Sequence, residues 1–283
     1  MTHSTQSLQE LLVSIDETKE YLSAHYLSPH LQQSIDDEFK VDYTYNSNAI
    51  EGNTLTLEET RVVLEGITIG GKSIREHLEV INHKEAIEYI QELVRQDTPL
   101  SENLICNIHS IILQGINKQE AGKYRNVLVR VGGFTPPQPY MLKPQMEQFI
   151  SQYCSLNIHP ILKASYAHLE FVRIHPFIDG NGRTARLLMN LELLKNSYCA
   201  INIKFDKRAQ YYECIKEYSN NNNGTQAFDN LIATYVYETL QKQKELVLQE
   251  KYNAKNTNTQ KARKNQKAID NFIKADNEIQ CKK

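Results

Sequence analysis

The chain has 283 residues, of which 40% are hydrophobic and 23% are charged, and its formal net charge is −2. This composition is ordinary for a soluble globular protein, and the charge balance excludes binding of nucleic acid or membrane through bulk positive charge. No apolar run is long enough to span a bilayer, and the N-terminus lacks a signal-peptide pattern, so a cytoplasmic location is expected. The five scattered cysteines predict reduced thiols.

Helical spacing of apolar residues dominates the chain and predicts a mainly α fold. Capping boxes at Ser7, Thr56 and Ser73 each mark a helix start, and Gly52 and Gly66 follow two helix ends. The predicted helices cover residues 8–22, 29–50, 57–65, 74–90, 104–112, 146–153, 161–174, 182–194 and 228–248, with a further helix that Asp206 would cap.

One segment has β character. Residues 127–131 read VLVRV, and Gly132-Gly133 and a proline-rich stretch to Pro139 follow them. This pattern predicts a strand or short hairpin with an exposed, stiffened loop.

Residues 66–73, GITIGGKS, match the pattern of a phosphate-binding P-loop. That motif needs a buried strand before it, whereas residues 58–65 are charged and helical in pattern. We therefore interpret Gly66 as a helix end and Ser73 as the cap of the next helix, with Lys72 in solvent.

The segment richest in chemical groups is residues 175–186, HPFIDGNGRTAR. Its glycine-rich turn opens a helix, and free N–H groups at such a position bind phosphate. Arg183 and Arg186 could clamp polyphosphate oxygens, Asp179 is placed to hold Mg²⁺, and His175 titrates near neutral pH and could accept a proton. Two arginines at the positive end of a helix dipole are a local cost, which favours a functional role.

This segment resembles the signature of the Fic-domain family, H-P-F-x-[DE]-G-N-G-R-x-x-R, at all nine fixed positions. The resemblance extends over roughly residues 40–240 and includes GKYR at 122–125 and the pair Tyr211-Tyr212. It implies a helical Fic fold with a small β-hairpin flap. It also divides the chain into an N-terminal helical region (1–80), a catalytic core (81–248) and a C-terminal tail (249–283).

The activity that the resemblance implies is transfer of AMP from ATP, with Mg²⁺, to a Ser, Thr or Tyr hydroxyl of a target protein or of the chain itself. Related kinases carry Lys at the position of Gly182, which favours AMP transfer here. The flap residues that would dock the target are Val131, Gly132, Gly133, Phe134 and Thr135. The implied roles are His175 as general base, Asp179 as Mg²⁺ ligand, Gly180, Asn181 and Gly182 as the anion hole, Arg183 as β-phosphate ligand and Arg186 as γ-phosphate ligand.

A second resemblance lies upstream, where residues 47–53, SNAIEGN, are similar to the inhibitory motif [ST]-x-x-x-E-[GN] of some Fic proteins. Ser47 and Glu51 are four residues apart, and so lie on one face of a helix that would span about residues 33–52. Glu51 paired with Arg186 would occupy the partner of the γ-phosphate and hold the enzyme inactive.

Two alternatives stay open. Glu51 could align a water molecule for removal of AMP from a modified protein, alone or besides AMP transfer. The chain could instead be a regulatory binding module, since residues 250–283 carry nine Lys or Arg against four Asp or Glu and could bind nucleic acid or a protein partner. This tail is expected to be weakly ordered. A homodimer is also left open, and a membrane partner is not expected.

Overall fold

The computed structural model describes residues 7–221 and 224–280. Within these ranges it contains ten α-helices, two short 3₁₀ helices and no β-sheet, which confirms the mainly α prediction. The α-helices are α1 (Leu8–Ser23), α2 (Pro29–Ile50), α3 (Leu57–Leu64), α4 (Ile74–Arg95), α5 (Glu102–Ile112), α6 (Leu142–Ser155), α7 (Pro160–Ile174), α8 (Asn181–Lys195), α9 (Arg208–Asn221) and α10 (Gln226–Gln280). The 3₁₀ helices are Pro139–Met141 and Phe205–Lys207.

Local sequence signals set most of the helix starts. The side chains of Ser7, Thr56 and Ser73 each accept a hydrogen bond from the third backbone N–H of the following helix. The glutamate at that third position accepts one from the backbone N–H of the capping residue. These three capping boxes confirm the predicted helix starts. The prediction for Asp206 was wrong, because this residue lies inside a 3₁₀ helix and α9 begins only at Arg208.

Helices α7 and α8 pack against each other at the centre of the molecule. One hydrophobic core surrounds them and extends from Leu11 on α1 to Leu240 on α10. Helices α1, α2 and α4 therefore contribute to this core, whereas Val63 of α3 packs in a second, smaller cluster with Leu55 and Val80. The boundary expected at residue 80 falls inside α4, which spans Ile74–Arg95. The same helix contributes Ile87 and Ile90 to the core.

The flap segment between α5 and α6 does not form the strand expected over residues 127–131. Its β structure consists of one isolated antiparallel bridge between Val131 and Phe134, closed by Gly132-Gly133. A β-branched run forms a stable strand only when another strand pairs with it, and none does so among the described residues. The hairpin is thus reduced to a tight turn.

Helix α10 continues through the tail to Gln280, so the described tail residues are helical in conformation, and the weak order expected of them stays a prediction. No Gly or Pro follows Gly224 in the sequence, so the chain contains no strong helix breaker there. Helix α10 packs along α1, and the Ser28 amide donates a hydrogen bond of 3.0 Å to Glu250 Oε2. These contacts involve the part of α10 up to Glu250, and the basic residues follow it in the same helix. Residues 281–283, which include Cys281, lie outside the described part.

Two further expectations concern the whole chain. The four cysteines in the described ranges are free thiols. Every helix found in residues 7–221 and 224–280 is too short or too polar to cross a lipid bilayer.

Candidate active site

His175 caps the C-terminus of α7 in the left-handed conformation, with φ 50° and ψ 58°. A non-glycine residue in this conformation is strained and is held there by its surroundings. Its carbonyl accepts a hydrogen bond of 2.9 Å from Arg125 Nε, and Pro176 O accepts one from the Arg125 amide. Burial lowers the pKa of His175 to about 4, so the imidazole is neutral at pH 7 and able to accept a proton.

The turn between α7 and α8 is closed by Asn181. Its side-chain amide bonds both the N–H and the carbonyl of Phe177, at 3.0 and 2.8 Å. Gly180 precedes α8 with φ 76°, and a Cβ there would lie 3.3 Å from the His109 ring. The side chain of Asn181 therefore shapes the turn, while the backbone N–H groups that open α8 stay without partners inside the helix.

His109 on α5 supports this turn, and the sequence analysis missed it. Its Nδ1 accepts a hydrogen bond from the Gly122 amide at 2.9 Å, so its Nε2 donates to Asp179 O, also at 2.9 Å. The ring stacks on Phe177 with centroids 3.6 Å apart. Burial lowers the pKa of His109 to about 4, which keeps it neutral for this double role. The sequence feature that could have identified it is the position of His109 on the apolar face of α5, the face that also carries Ile105.

Arg186 points from α8 to the C-terminal end of α2. Its Nε donates to Ser47 Oγ at 3.0 Å, and its Nη2 donates to Ser47 O and to Glu51 Oε1, both at 2.8 Å. The Arg186 side chain is 1% exposed and that of Glu51 is 32% exposed. Ser47 and Glu51 thus lie on one face of α2 and meet the same guanidinium.

Tyr211 completes the surroundings of Arg186. Its hydroxyl accepts a hydrogen bond of 3.2 Å from Arg186 Nη1 and lies 2.8 Å from His168 Nε2. Burial lowers the pKa of His168 well below its ordinary value, so its neutral ring can accept the hydroxyl proton. Family resemblance identified the Tyr211-Tyr212 pair, but no sequence pattern predicts its contact with Arg186.

The Glu51 carboxylate lies directly over Gly182, in the first turn of α8. A Cβ at Gly182 would overlap Glu51 Oε1. Any larger residue at this position would displace the Glu51 carboxylate from its present place. A carboxylate of the chain itself occupies the space in front of a helix N-terminus, where an anionic ligand is favoured.

Asp179 and Arg183 form the other side of the turn. Arg183 is 1% exposed, and its guanidinium lies 3.4 Å from Asp179 Oδ1, 3.6 Å from Glu79 Oε1 and 3.4 Å from Asn48 Oδ1. Burial opposes ionisation of Asp179, but the charge of Arg183 and the Gly180 N–H outweigh it and lower the pKa. No group of three or more metal-ligating side chains occurs in the described residues. One ionised carboxylate beside a helix N-terminus, where phosphate is favoured, nevertheless fits Mg²⁺, which takes its other ligands from phosphate and water.

The flap and α9 enclose a cavity of about 340 Å³ in front of His175 and Glu51. Val131, Gly132 and Phe134 line it from the flap. Gly133 packs on the alkyl chain of Lys216 on α9, whereas Thr135 is exposed and borders a separate depression. Of the five flap residues proposed for target docking, three thus face the cavity directly.

The P-loop match is a connection between α3 and α4, as the sequence analysis concluded. Gly66 and Gly71 have positive φ angles, and Ser73 caps α4. The expectation that Lys72 is in solvent was wrong, because its ammonium group bonds Thr54 O at 2.5 Å and lies 3.4 Å from Glu59. Lys72 thus connects the α3–α4 loop to the α2–α3 loop, which contains Thr54.

Comparisons with known proteins agree with this geometry. The sequence model of the Fic/DOC family matches residues 99–193. Over 216 residues the chain is 38% identical to Protein adenylyltransferase Fic of Drosophila grimshawi, an alignment that covers 75% of this chain and 45% of the relative. The chain thus spans less than half the length of that relative.

Solved structures give the same result over more of the chain. A Fic-1 fragment from C. elegans matches with a TM-score of 0.75 and 32% identity, covering 84% of this chain and 71% of the fragment. A Fic-domain-containing signaling protein from Bacteroides thetaiotaomicron matches with a TM-score of 0.74 and 25% identity, covering 84% of this chain and 96% of that protein. The chain belongs to the Fic/DOC family.

Proposed function

We propose that this chain is a protein adenylyltransferase that transfers AMP from ATP to a hydroxyl side chain of a protein, and that Glu51 holds it inactive. One observation carries the proposal: the buried His175 shares a cavity with the N-terminus of α8, and the Glu51 carboxylate lies over that N-terminus at Gly182. Relatives named Protein adenylyltransferase Fic support the reaction class.

The triphosphate of ATP would bind at the N-terminus of α8. The N–H groups around Gly182 would donate hydrogen bonds to phosphate oxygens, with Arg183 in the first turn of α8 and Arg186 in the second as cationic partners. Both guanidiniums are buried and already oriented by neighbouring side chains. Binding therefore needs little reorganisation of either arginine, which favours electrostatic stabilisation of the charge that develops during transfer.

His175 would accept the proton of the target hydroxyl. The hydroxyl oxygen then forms a bond to the α-phosphorus, the bond to the bridging oxygen breaks, and pyrophosphate leaves with that electron pair. A base must be unprotonated before the reaction, and burial of His175 ensures this at neutral pH. When bound, Mg²⁺ at Asp179 would neutralise charge on the phosphates.

The flap would align the target segment. Arg125 donates hydrogen bonds to Val127 O at 2.9 Å and to Pro137 O at 2.7 Å, besides its bond to His175 O. One buried guanidinium thus joins both ends of the flap to the backbone of the proposed base. An extended peptide could add to the exposed flap edge next to Val131, which favours a flexible target loop as substrate.

Inhibition would follow from competition for Arg186. The guanidinium can bond either Glu51 or a terminal phosphate, and Glu51 also blocks the space over Gly182. ATP bound beside Glu51 would lack this clamp, so its α-phosphate would not be held in line with the target hydroxyl.

The test uses ATP labelled at the α-phosphate and, separately, at the γ-phosphate. The chain with Glu51→Gly is incubated with each nucleotide, alone and with cell lysate, and modified residues are identified by mass spectrometry. AMP transfer gives label from the α-phosphate only, on Ser, Thr or Tyr, and His175→Ala in the same background abolishes it. Label from the γ-phosphate, or unchanged labelling with His175→Ala, contradicts the proposal.

A further inference from the structure

A third arginine, Arg75, extends from the first turn of α4 to the turn between α7 and α8 (residues 175–181), here called the catalytic turn. Its Nη2 lies 2.5 Å from Asp179 Oδ2, although the two residues are 104 positions apart. Its Nε donates to Glu79 Oε1 at 3.1 Å, one helical turn further along α4. Glu79 thereby orients the guanidinium so that its outer edge faces Asp179.

This contact uses the oxygen of Asp179 that the catalytic turn leaves free. Oδ1 already accepts a 2.6 Å hydrogen bond from the Gly180 amide and lies 3.4 Å from Arg183. Oδ2 has Arg75 as its hydrogen-bond partner among the described residues. Oδ2 has two lone pairs, so a divalent cation bound there would lie next to the Arg75 guanidinium and meet electrostatic repulsion from it.

Arg75 is also linked to the end of the helix that carries Glu51. Glu79, which orients Arg75 through Oε1, accepts a hydrogen bond of 2.9 Å through Oε2 from Asn53. Asn53 lies two residues after Glu51, and its amide also bonds Glu76 O on α4 at 3.1 Å. A displacement of the end of α2 therefore acts on the carboxylate that holds Arg75 in place.

We propose that Arg75 is a positioning residue that competes with the divalent cation for Asp179 and thereby sets the Mg²⁺ concentration at which the site fills. This inference rests on the proposed function insofar as Asp179 is taken as the metal ligand. The Arg75 side chain is 58% exposed and that of Asp179 is 42% exposed. The guanidinium can therefore swing into solvent when the cation arrives, without any change in the core.

The test measures binding of Mn²⁺ alone to the full chain, by the loss of the free Mn²⁺ signal in electron paramagnetic resonance. Arg75→Gln is expected to bind Mn²⁺ about fivefold more tightly than the wild type, a factor typical of the strongest exposed ion pairs. Arg75→Lys should lie between the two, because a lysine cannot bond Glu79 and Asp179 with one planar fork. Asp179→Asn should remove this binding.

Arg95→Gln is the matched control. Arg95 lies on the same helix, is 67% exposed, and pairs with Glu92 at 2.5 Å, so the change removes an equivalent exposed ion pair far from Asp179. Mn²⁺ affinity that is unchanged or weaker in Arg75→Gln overturns the proposal, and so does binding that persists in Asp179→Asn. Because the readout needs neither ATP nor a target, a failure of AMP transfer leaves this result interpretable.

Discussion

Replacing Glu51 by glycine tests both the proposed inhibition and the proposed phosphate site. The change removes the carboxylate that bonds Arg186 at 2.8 Å and that lies over Gly182. Arg186 keeps its bonds to Ser47 and Tyr211, so the guanidinium stays in position. The expected result is faster AMP transfer, because a terminal phosphate then meets an oriented cation without a competitor.

The expected size of the effect follows from the contact. A hydrogen bond to a charged group contributes about 1.5–3 kcal/mol, and a tenfold change in an equilibrium corresponds to about 1.4 kcal/mol. Arg186 is buried, but the Glu51 side chain is 32% exposed and remains partly hydrated, which favours the lower half of that range. Transfer should therefore rise by about tenfold to fiftyfold.

The assay is the rate of α-phosphate labelling of the chain and of lysate proteins at fixed ATP and Mg²⁺. Glu51→Gln keeps the bulk over Gly182 while removing the charge, so it should fall between the wild type and Glu51→Gly. Glu65→Gly is the matched control, since Glu65 also caps the end of a helix before a glycine with positive φ. If Glu51→Gly labels no faster than the wild type, or no faster than Glu65→Gly, Glu51 is not the inhibitor.

Three further outcomes are expected. His175→Ala, in the Glu51→Gly background, should lose about 10²- to 10⁴-fold in transfer while ATP affinity measured by calorimetry stays unchanged; a loss of ATP affinity would instead indicate a binding role. Lys72→Ala should leave ATP affinity and transfer intact, because Lys72 bonds Thr54 and Glu59 and not the catalytic turn; a large loss of ATP binding would revive the P-loop interpretation. Burial lowers the pKa values of His83 and His168 well below 6.5, so the unfolded chain binds more protons below that pH, and stability that is fully present above pH 7 should fall as the pH drops below 6.5. Equal urea midpoints at pH 7.5 and 5.0 would contradict this last expectation.

The helices were predictable because their signals are local. A capping box such as Ser73 with Glu76 needs only four consecutive residues, and the structure contains the reciprocal hydrogen bonds that the pattern implies. The turn from His175 to Asn181 is also contiguous, so one short signature brought most of the proposed site together. The strand alternative for residues 127–131 was wrong because a β-branched run does not reveal whether a partner strand exists, and the flap is closed instead by the bridge between Val131 and Phe134.

The supporting residues were not predictable, because their contacts join distant parts of the chain. His109 meets Asp179 across 70 positions and Arg75 meets it across 104. Both residues lie on amphipathic helices, where a histidine or an arginine is ordinary and does not by itself indicate a functional contact. Arg125 is similar. The sequence shows that it precedes the flap, but its hydrogen bond to His175 O depends on how the flap packs against the end of α7.

The arrangement of charges explains how two arginines can open a helix at its positive end. Arg183 and Arg186 meet carboxylates of Asp179, Glu79 and Glu51, and Arg75 adds a third cation to the same network. Three cations thus face three carboxylates, so the cost predicted from the helix dipole is offset in the absence of a ligand. A triphosphate adds negative charge to a network that is already balanced. Glu51 is the carboxylate at the end of its helix and in front of Gly182. Under the proposed function, ATP that binds while Glu51 stays in place meets this extra carboxylate and lacks Arg186, and Glu51→Gly would remove that unproductive state.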